Sequence, residues 1–496
     1  LLSPLSCLTF LSLLGSVSTF SVIPTRANAA NAVIINNIHE QKAPEWRARG
    51  DITARSTVAR RTVLKAKDAA ASIDDDRRVV ITGVGVVSGC GVEKDEFWDN
   101  VSSGRSSINK ITRFSLDEFP LTCQVASEVP PEKFDPKDHF TNIKSIKSND
   151  RYTHFAVAAS KSALSDASLP IGSIPPSRLG VMIGSAFGGA ETFESETLKL
   201  HKNPSRPKVS PFTIPALLGN TASGIVGIEC EARGPNYAVV SACASGSHCI
   251  GEAMQMITTG QADVMLAGGT EATITPLVCA GFCAMKAMCT KYNDEPKRSS
   301  RPFDNSRAGF VMGEGAGVVV LESLKSARER GARIYAEVTG YGASCDAHHI
   351  TTPAPEGRGL ADAMERALEG KDKSIVNYVN AHGTSTAYND KFETMAIKSV
   401  FGSRAIEKDG TFVVSSTKGV TGHTLGAAGG IEAVIAALSI YESTVPPTIN
   451  LETEDPECDL DYVPNVKREM EVKAAMSTNL GFGGHNAALL FEKFEE

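Results

Sequence analysis

Short apolar runs rich in β-branched residues alternate along the chain with segments in which apolar residues recur at helical spacing. The runs that predict strands lie at 78–87, 179–185, 262–269, 315–322, 334–342, 376–382, 411–416 and 486–492. The helical patterns lie at 152–168, 246–259, 357–369, 390–401 and 427–440. Strands that alternate with helices are typical of sheets covered by helical layers. The pattern therefore predicts an α/β fold.

A loose internal echo accompanies this alternation. The segment Val79-Val-Ile-Thr-Gly-Val-Gly near the start is similar to Ala336-Glu-Val-Thr-Gly-Tyr-Gly near the middle, and both are strand patterns ending in Thr-Gly-x-Gly. Although strand endings of this kind are common, the echo favours two similar halves. We place them at 77–330 and 331–496, an arrangement that would put a functional site at their junction.

The first 76 residues differ in kind from the rest. Residues 5–23 are apolar but interrupted by Ser, Thr and Gly, which suits the hydrophobic region of a signal peptide better than a membrane span. Residues 26–67 are rich in Ala, Arg, Lys, Ser and Thr, as organelle transit peptides are. We interpret residues 1–76 as a bipartite presequence, signal-like over 1–25 and transit-like over 26–76, directing the protein to a plastid. A mitochondrial address and a plain disordered extension are the alternatives.

Composition narrows the function classes only a little. The 496 residues suffice for a large core, and the net charge of −7 gives no support to a nucleic-acid role. The 11 cysteines are scattered without Cys-x-x-Cys pairs. This distribution argues against a disulfide framework or a structural zinc site, and it favours a compartment that keeps thiols reduced.

Cys243 is the strongest single candidate for chemistry. It lies in Tyr237-Ala-Val-Val-Ser-Ala-Cys243-Ala-Ser-Gly-Ser, between an apolar run that predicts a buried strand and a small-residue run that predicts a closely packed helix. At a helix N-terminus, the helix dipole and free N–H groups favour thiolate over thiol, which is how proteins prepare a cysteine nucleophile. A small cysteine filling a core gap is the alternative interpretation.

Two histidine motifs and a glycine-rich segment follow Cys243 along the chain. They are Asn380-Ala-His382-Gly-Thr-Ser-Thr, Lys418-Gly-Val-Thr-Gly-His423-Thr-Leu-Gly and Asn479-Leu-Gly-Phe482-Gly-Gly. Each histidine lies in a corner rich in glycine and threonine, where backbone can approach a ligand closely. The third predicts a loop whose N–H groups face an oxyanion while Phe482 gates a pocket.

Together these motifs resemble those of the β-ketoacyl-[acyl-carrier-protein] synthases, the type I/II condensing enzymes of fatty-acid synthesis. The resemblance extends from about Arg78 to Glu492 and includes the segments at 209–215, 301–317 and 346–353. It implies a thiolase-like fold of two similar halves in a layered α-β-α-β-α architecture. The set of Cys243, His382 and His423 with Lys418 separates this group from the Cys–His–Asn condensing enzymes.

The resemblance also implies roles for individual residues. Cys243 would carry the acyl chain, and its N–H and that of Phe482 would form the oxyanion hole. His382 and His423 would take part in malonyl decarboxylation, and Lys418 would supply a fixed positive charge. The carboxyl groups expected to support these catalytic side chains are those of Asp390, Glu393 and Glu432. The aromatic residues expected to line the acyl pocket are Phe187, Phe282 and Phe482.

For Glu393, Glu432 and the three aromatic residues, a purely structural role is the alternative. The chemistry needs no metal and no organic cofactor. Thr213 and Leu480 depart from the family's usual phenylalanines, which leaves the preferred acyl length open. The expected partner is acyl carrier protein, with Arg206 or Lys208 contributing to docking, and the expected assembly is a homodimer.

Three other assignments compete with this one. A thiolase uses two cysteines and one histidine, and a second histidine argues against it. The second alternative is a ketosynthase domain within a polyketide or elongating multienzyme. We expect a discrete enzyme instead. A non-catalytic chain-length factor lacks the cysteine that this chain carries.

Overall fold

The computed structural model describes residues 75–206 and 208–496. Nearly all of the predicted presequence therefore lies outside the described residues and stays a prediction. The strands are β1 Val79–Ser88, β2 Asn109–Lys110, β3 Val125–Ser127, β4 Leu179–Gly184, β5 Asn236–Tyr237, β6 Val264–Glu271, β7 Met312–Gly313, β8 Gly315–Ser323, β9 Ala336–Cys345, β10 Tyr378–Asn380, β11 Val413–Ser415, β12 Thr444–Val445, β13 Arg468–Glu469, β14 Ala474–Gly481 and β15 His485–Glu492.

The α-helices are α1 Lys94–Ser102, α2 Ile143–Ile146, α3 Arg151–Asp166, α4 Ala190–Lys202, α5 Thr213–Leu217, α6 Thr221–Glu229, α7 Ser245–Thr258, α8 Pro276–Ala284, α9 Leu324–Glu329, α10 Arg358–Ala367, α11 Ala387–Phe401, α12 Ser403–Ile406, α13 Lys418–Thr421 and α14 Ala428–Tyr441. No helix of the described residues has both the length and the apolar composition needed to cross a bilayer.

Ten of the described strands form one continuous sheet in the order β11-β10-β14-β15-β9-β1-β8-β6-β4-β5. Each half contributes five strands to this sheet. When those five are numbered in chain order, both sets have the order 3-2-4-5-1 from the outer edge of the sheet to its centre. The two sets meet only through a short antiparallel contact, in which Val80 pairs with Glu337 and Ile81 with Ala336. The same topology therefore occurs twice, as the echo between the segments at 79 and 336 indicated.

Helices cover both sets of strands and also separate them. Helices α3 and α6 pack on the first set and α10 packs on the second, whereas α7 and α14 contact strands of both sets and each other. The predicted α-β-α-β-α layering is confirmed.

The two central helices touch backbone to backbone. A Cβ atom on Gly246 would lie 2.7 Å from the Gly430 nitrogen, and one on Gly429 would lie 2.2 Å from Ser247 Oγ. Because no side chain fits either position, glycine sets the distance between α7 and α14.

The sequence was misleading at two places. The apolar run before Cys243 was predicted as a buried strand, but only Asn236–Tyr237 pairs, at the outer edge of the sheet, and Val240 is 60% exposed. Strand β14 was not predicted at all, and the segment from Asn479 to Gly481, expected as a loop, is its end. The proposed division at residue 330 lies between β8 and β9 and stays a prediction about domains.

Candidate active site

Cys243 lies in a single 3₁₀ turn, Ala242–Ala244, directly before α7. The residue before it, Ala242, has φ +50°, a left-handed conformation that non-glycine residues seldom adopt and that is often found at functional sites. Burial raises the pKa of the Cys243 thiol to about 12, while the Lys418 charge and the N–H groups of Phe482 and Cys243 act to lower it. The thiolate expected from the helix terminus is therefore outweighed by burial, and the resting sulfur carries its proton.

His423 is the direct neighbour of this thiol. Its Nε2 lies 3.2 Å from Cys243 Sγ. Its backbone is fixed on both sides, because its N–H donates to the Val311 carbonyl at 2.7 Å and its carbonyl accepts from the Gly313 N–H at 2.9 Å. The imidazole is thus held where it can accept the thiol proton.

His382 completes the group and, like His423, comes from the second half of the chain. The ring centroids of His382 and His423 are 5.1 Å apart, with the rings nearly perpendicular. The Glu393 carboxylate accepts from the N–H groups of His382 and Gly383, each at 2.7 Å, and from the Thr478 hydroxyl at 2.8 Å. Glu393 therefore fixes the backbone turn that directs His382 into the site.

Asn479 connects His382 to the predicted lysine. Its Nδ2 lies 3.2 Å from His382 Nδ1 and 2.7 Å from Glu432 Oε2, while its Oδ1 accepts from the Ser247 hydroxyl. Because a carboxylate can only accept, Glu432 fixes the orientation of this amide, and Nδ2 donates to His382 as well. The inferred tautomer of His382 carries its proton on Nε2.

Lys418 pairs with the second oxygen of Glu432, and both side chains are buried. Burial lowers the pKa of His382 and of His423 well below the usual value, and the Lys418 charge lowers both further. Both imidazoles are consequently neutral near pH 7.

The three predicted supporting acids separate into two groups. Glu393 and Glu432 contact the histidine network directly. Asp390, by contrast, accepts from the Phe303 N–H at 2.8 Å and faces Arg307, so Glu432 and not Asp390 is the carboxylate that pairs with Lys418. Burial raises the pKa of Glu393 to about 7, and it also raises those of Asp390 and Glu432.

The end of β14 brings a second N–H donor beside the nucleophile. A Cβ atom on Gly481 would lie 2.3 Å from the Ser241 carbonyl oxygen and 3.4 Å from the Cys243 nitrogen. This contact sets the following N–H, that of Phe482, next to Cys243, and both N–H groups lower the thiol pKa. Two donors that converge on one point are the arrangement needed to stabilise an oxyanion.

A cavity of about 400 Å³ opens onto the Cys243 sulfur. Its wall includes His382, His423 and the predicted aromatic residues Phe282 and Phe482. The Phe282 ring lies at the centre of an aromatic cluster, with ring centroids 6.1 Å from Phe187, 5.2 Å from Phe310 and 6.3 Å from Phe482. Phe187 does not line the cavity itself and supports it only through Phe282.

The donor atoms of Cys243, His382 and His423 lie within 4.8 Å of one another, a grouping that could also hold a thiophilic metal ion. The inferred tautomer of His382 argues against that use, since its cavity-facing Nε2 carries a proton. The geometry fits proton transfer and carbonyl polarisation better than metal ligation.

Several residues of the site carried no prediction. Asn479 had no assigned role, and because β14 was not predicted, nothing in the sequence pattern indicated that this amide is buried. Phe310 packs against His423 with ring centroids 5.4 Å apart, and Thr384 and Thr386 line the cavity with their hydroxyls 2.9 Å apart. Arg206 and Lys208 are exposed and neither lines the cavity, whereas Lys286 does.

Two family models match most of the described chain. The N-terminal domain of β-ketoacyl synthase matches residues 76–327, and the C-terminal domain matches residues 335–452. The chain is 47% identical over 424 residues to 3-oxoacyl-[acyl-carrier-protein] synthase 2 of Synechocystis sp., which covers 85% of this chain and 99% of that protein. The enzyme of the same name from Staphylococcus aureus is 49% identical over 426 residues, covering 85% of this chain and all of that protein.

Solved structures give the same result for the fold. A β-ketoacyl synthase from Burkholderia phymatum superimposes with a TM-score of 0.77 at 35% identity, covering 84% of this chain and all of that one. A type II polyketide ketosynthase, solved with its acyl-carrier protein, superimposes with a TM-score of 0.77 at 34% identity and the same coverage.

Proposed function

Because the chain belongs to the β-ketoacyl synthase family, we propose that it condenses malonyl-acyl carrier protein with an acyl chain held on Cys243 to extend a fatty acid. The observation that carries this proposal is the buried group of one thiol and two neutral imidazoles, with Cys243 Sγ 3.2 Å from His423 Nε2. It is an acyltransferase reaction that forms a carbon–carbon bond.

The first half-reaction loads the acyl chain. Cys243 Sγ attacks the thioester carbonyl as His423 Nε2 accepts the thiol proton. The oxygen of the tetrahedral intermediate accepts hydrogen bonds from the N–H groups of Cys243 and Phe482. The carrier thiol then leaves with the proton that His423 returns. The acyl chain then lies beside Phe282 in the apolar part of the cavity.

The second half-reaction makes the nucleophilic carbon. Once Cys243 is acylated, the neutral His423 ring takes the tautomer that is protonated on Nε2. The malonyl thioester oxygen then faces the Nε2–H groups of both imidazoles, so charge that develops as carbon dioxide leaves is stabilised without a prior ionisation. Asn479 and Glu432 hold the His382 tautomer that donates from Nε2. The resulting carbanion attacks the Cys243 thioester and the thiolate is expelled. His423 passes it a proton taken up from solvent, so each turnover releases one carbon dioxide and consumes one proton.

A condensation assay on the full chain tests this proposal. Malonyl-acyl carrier protein would be offered with acyl-carrier primers from four to sixteen carbons, and β-ketoacyl product followed by mass spectrometry. We expect product from the wild type and none from Cys243→Ala. Turnover of acyl-CoA without any turnover of carrier-bound substrate would instead favour a thiolase-type enzyme.

We propose acyl carrier protein as the partner, on the basis of the substrate chemistry and of the exposed, positively charged segment after α4. Arg206 and Lys208 lie on the exposed segment after α4. Reversing both charges should raise the KM for the carrier-bound substrate at low salt and leave kcat unchanged. An unchanged KM would remove these two residues from the docking surface.

We further propose a homodimer through the outer edge of the first set of strands. There β5 is the last strand of the described sheet. The exposed Val240 follows it closely in the chain, and the exposed Ile228 lies on α6, which packs against β5. A free strand edge beside apolar residues is typical of an interface. Light scattering should give twice the chain mass of 52.5 kDa for the wild type. The measured mass of Val240→Lys should fall toward that of the monomer.

The plastid address is proposed from residues 1–76 alone. A fusion of this segment to a fluorescent protein should be imported by plastids and shortened on import. Import into mitochondria would select the alternative address.

A further inference from the structure

Glu271 is a buried carboxylate that the condensation reaction does not use. It is the last residue of β6 and has no exposed surface. Its Oε1 accepts from the Ser185 hydroxyl at 2.9 Å and from the Phe187 N–H at 3.3 Å. Its Oε2 accepts from the N–H groups of Ala186 at 2.8 Å and Gly426 at 3.0 Å. One side chain therefore holds four donors from two distant segments.

Both segments support the wall of the cavity beside the nucleophile. The first, 185–188, carries Phe187, whose ring lies edge-on to Phe282 in the cavity wall. The second is the turn after His423, which carries Leu425, another wall residue, with φ +50°. A change in the spacing of these segments would alter the apolar wall without touching the Cys243 sulfur.

The bridge depends on a carboxylate at this position. All four partners are donors, and a carboxylate offers only acceptors, so every partner is satisfied. An amide of the same length would turn an N–H toward at least one of these donors, and two facing donors repel. The contact is also too tight to be filled otherwise, because a Cβ on Gly426 would lie 2.4 Å from the Ala186 nitrogen and 2.6 Å from Glu271 Oε2.

We propose that Glu271 is a positioning residue that determines acyl-chain specificity, by fixing the distance between the Phe187 segment and the Leu425 turn. The inference rests on the proposed function, since it takes the apolar cavity to be the acyl site. Glu271 touches no substrate. It acts through the two segments that it holds.

The test compares Glu271→Gln with a matched control, Glu322→Gln. Glu322 is equally buried but lies near the C-terminal end of β8, away from the cavity. There its carboxylate accepts hydrogen bonds from Thr82, Ser326 and Arg330. The readout is the ratio of kcat/KM for a twelve-carbon primer to that for a four-carbon primer. We expect Glu271→Gln to lower this ratio about tenfold, with the KM for malonyl-carrier protein unchanged, because each misplaced apolar contact costs a long chain more than a short one.

A purely structural role would predict a different result. It would lower turnover of both primers by the same factor, in step with the loss of thermal stability, in both glutamate variants. A ratio within twofold of the wild type in Glu271→Gln, or an equal shift in Glu322→Gln, would overturn the proposal. If Glu271→Gln does not fold, Ser185→Ala decides, since it removes one of the four donors, and an unchanged ratio there would equally overturn it.

A second measurement separates this inference from the proposed function. Alkylation of Cys243 by chloroacetamides bearing a short or a dodecyl chain reports the shape of the pocket without carrier protein. Wild type that alkylates selectively but condenses nothing would refute the proposed function and leave the role of Glu271 testable by this ratio. We expect Glu271→Gln to lose selectivity for the dodecyl reagent, and retained selectivity would overturn the inference.

Discussion

The buried ion pair of Lys418 and Glu432 offers a prediction in which stability and activity separate. Both residues are at most 3% exposed, and they pair through Lys418 Nζ and Glu432 Oε1. Lys418→Met keeps the length and the apolar stem but leaves the carboxylate of Glu432 with Asn479 as its only described donor. An uncompensated buried charge of this kind costs about 3–5 kcal/mol of folding free energy.

The pH dependence of that cost has a definite sign. Burial already raises the pKa of Glu432 above its usual value, and Lys418 is the first of the groups that lower it. Without Lys418 the folded-state pKa rises further, so the folded protein binds a proton more tightly than the unfolded chain. The loss of folding free energy in Lys418→Met, relative to the wild type, should therefore be small near pH 5 and grow as the pH rises toward 8.

The double variant Lys418→Met/Glu432→Gln should restore most of the stability. A neutral glutamine keeps an oxygen for the Asn479 amide but no longer requires a counter-charge, so we expect recovery to within about 1–2 kcal/mol of wild type. Condensation should not recover in step. The fixed charge that acts on both imidazoles is absent from single and double variants alike, and we expect each to lose about 10²–10³-fold in kcat.

Urea unfolding followed by circular dichroism at pH 5, 6.5 and 8, together with the condensation assay, measures both effects. Lys161→Met is a matched control, because Lys161 pairs with Glu229 at a partly exposed site on α3. It should cost about 1 kcal/mol or less and leave turnover intact. The reasoning is refuted if Lys418→Met is as stable as wild type at all three pH values, or if the double variant regains full activity.

Three further outcomes follow from the site. Cys243→Ala should abolish condensation yet still decarboxylate malonyl-carrier protein, since both imidazoles remain; loss of both activities in a folded protein would contradict this division of roles. His382→Ala should slow decarboxylation about 10²–10⁴-fold while leaving transfer of the acyl chain to Cys243 nearly intact, as measured by mass spectrometry of the loaded enzyme; equal loss in both steps would count against it. Because burial raises the Cys243 pKa to about 12, its alkylation by iodoacetamide should rise about tenfold per pH unit from pH 7 to 10, and a plateau below pH 8 would contradict the neutral resting thiol.

The three residues that the sequence singled out as candidates for chemistry lie close together in the structure. Cys243, His382 and His423 each occupy a corner rich in small residues, because backbone must approach the reacting atoms there, and such corners are visible in the sequence. The strands and helices that the pattern predicted were placed to within a few residues, since their apolar faces point into layers that are covered on both sides, whereas α1, α4, α6 and α8 carried no prediction.

Sequence reasoning failed where polar residues are buried by tertiary contacts. Strand β14 was not predicted because Ser477, Thr478 and Asn479 interrupt its apolar pattern. These residues are nevertheless buried, and Thr478 and Asn479 bond to Glu393 and His382 in the site. The run before Cys243 was misassigned for the opposite reason, since apolar side chains at 239 and 240 lie at a sheet edge. The bridge made by Glu271 joins segments about 240 residues apart in the chain, and no local pattern announces such a contact.

The contact of α7 with α14 has a consequence for the genetics of this protein. Cys243 and His423 each precede one of these helices, so the distance between sulfur and imidazole depends on glycines at 246, 429 and 430 that never meet a substrate. A screen for inactive alleles should accordingly recover alanine and serine substitutions at these three codons alongside those at the catalytic ones. Some of these alleles should be conditional, failing at high temperature and surviving in the cold.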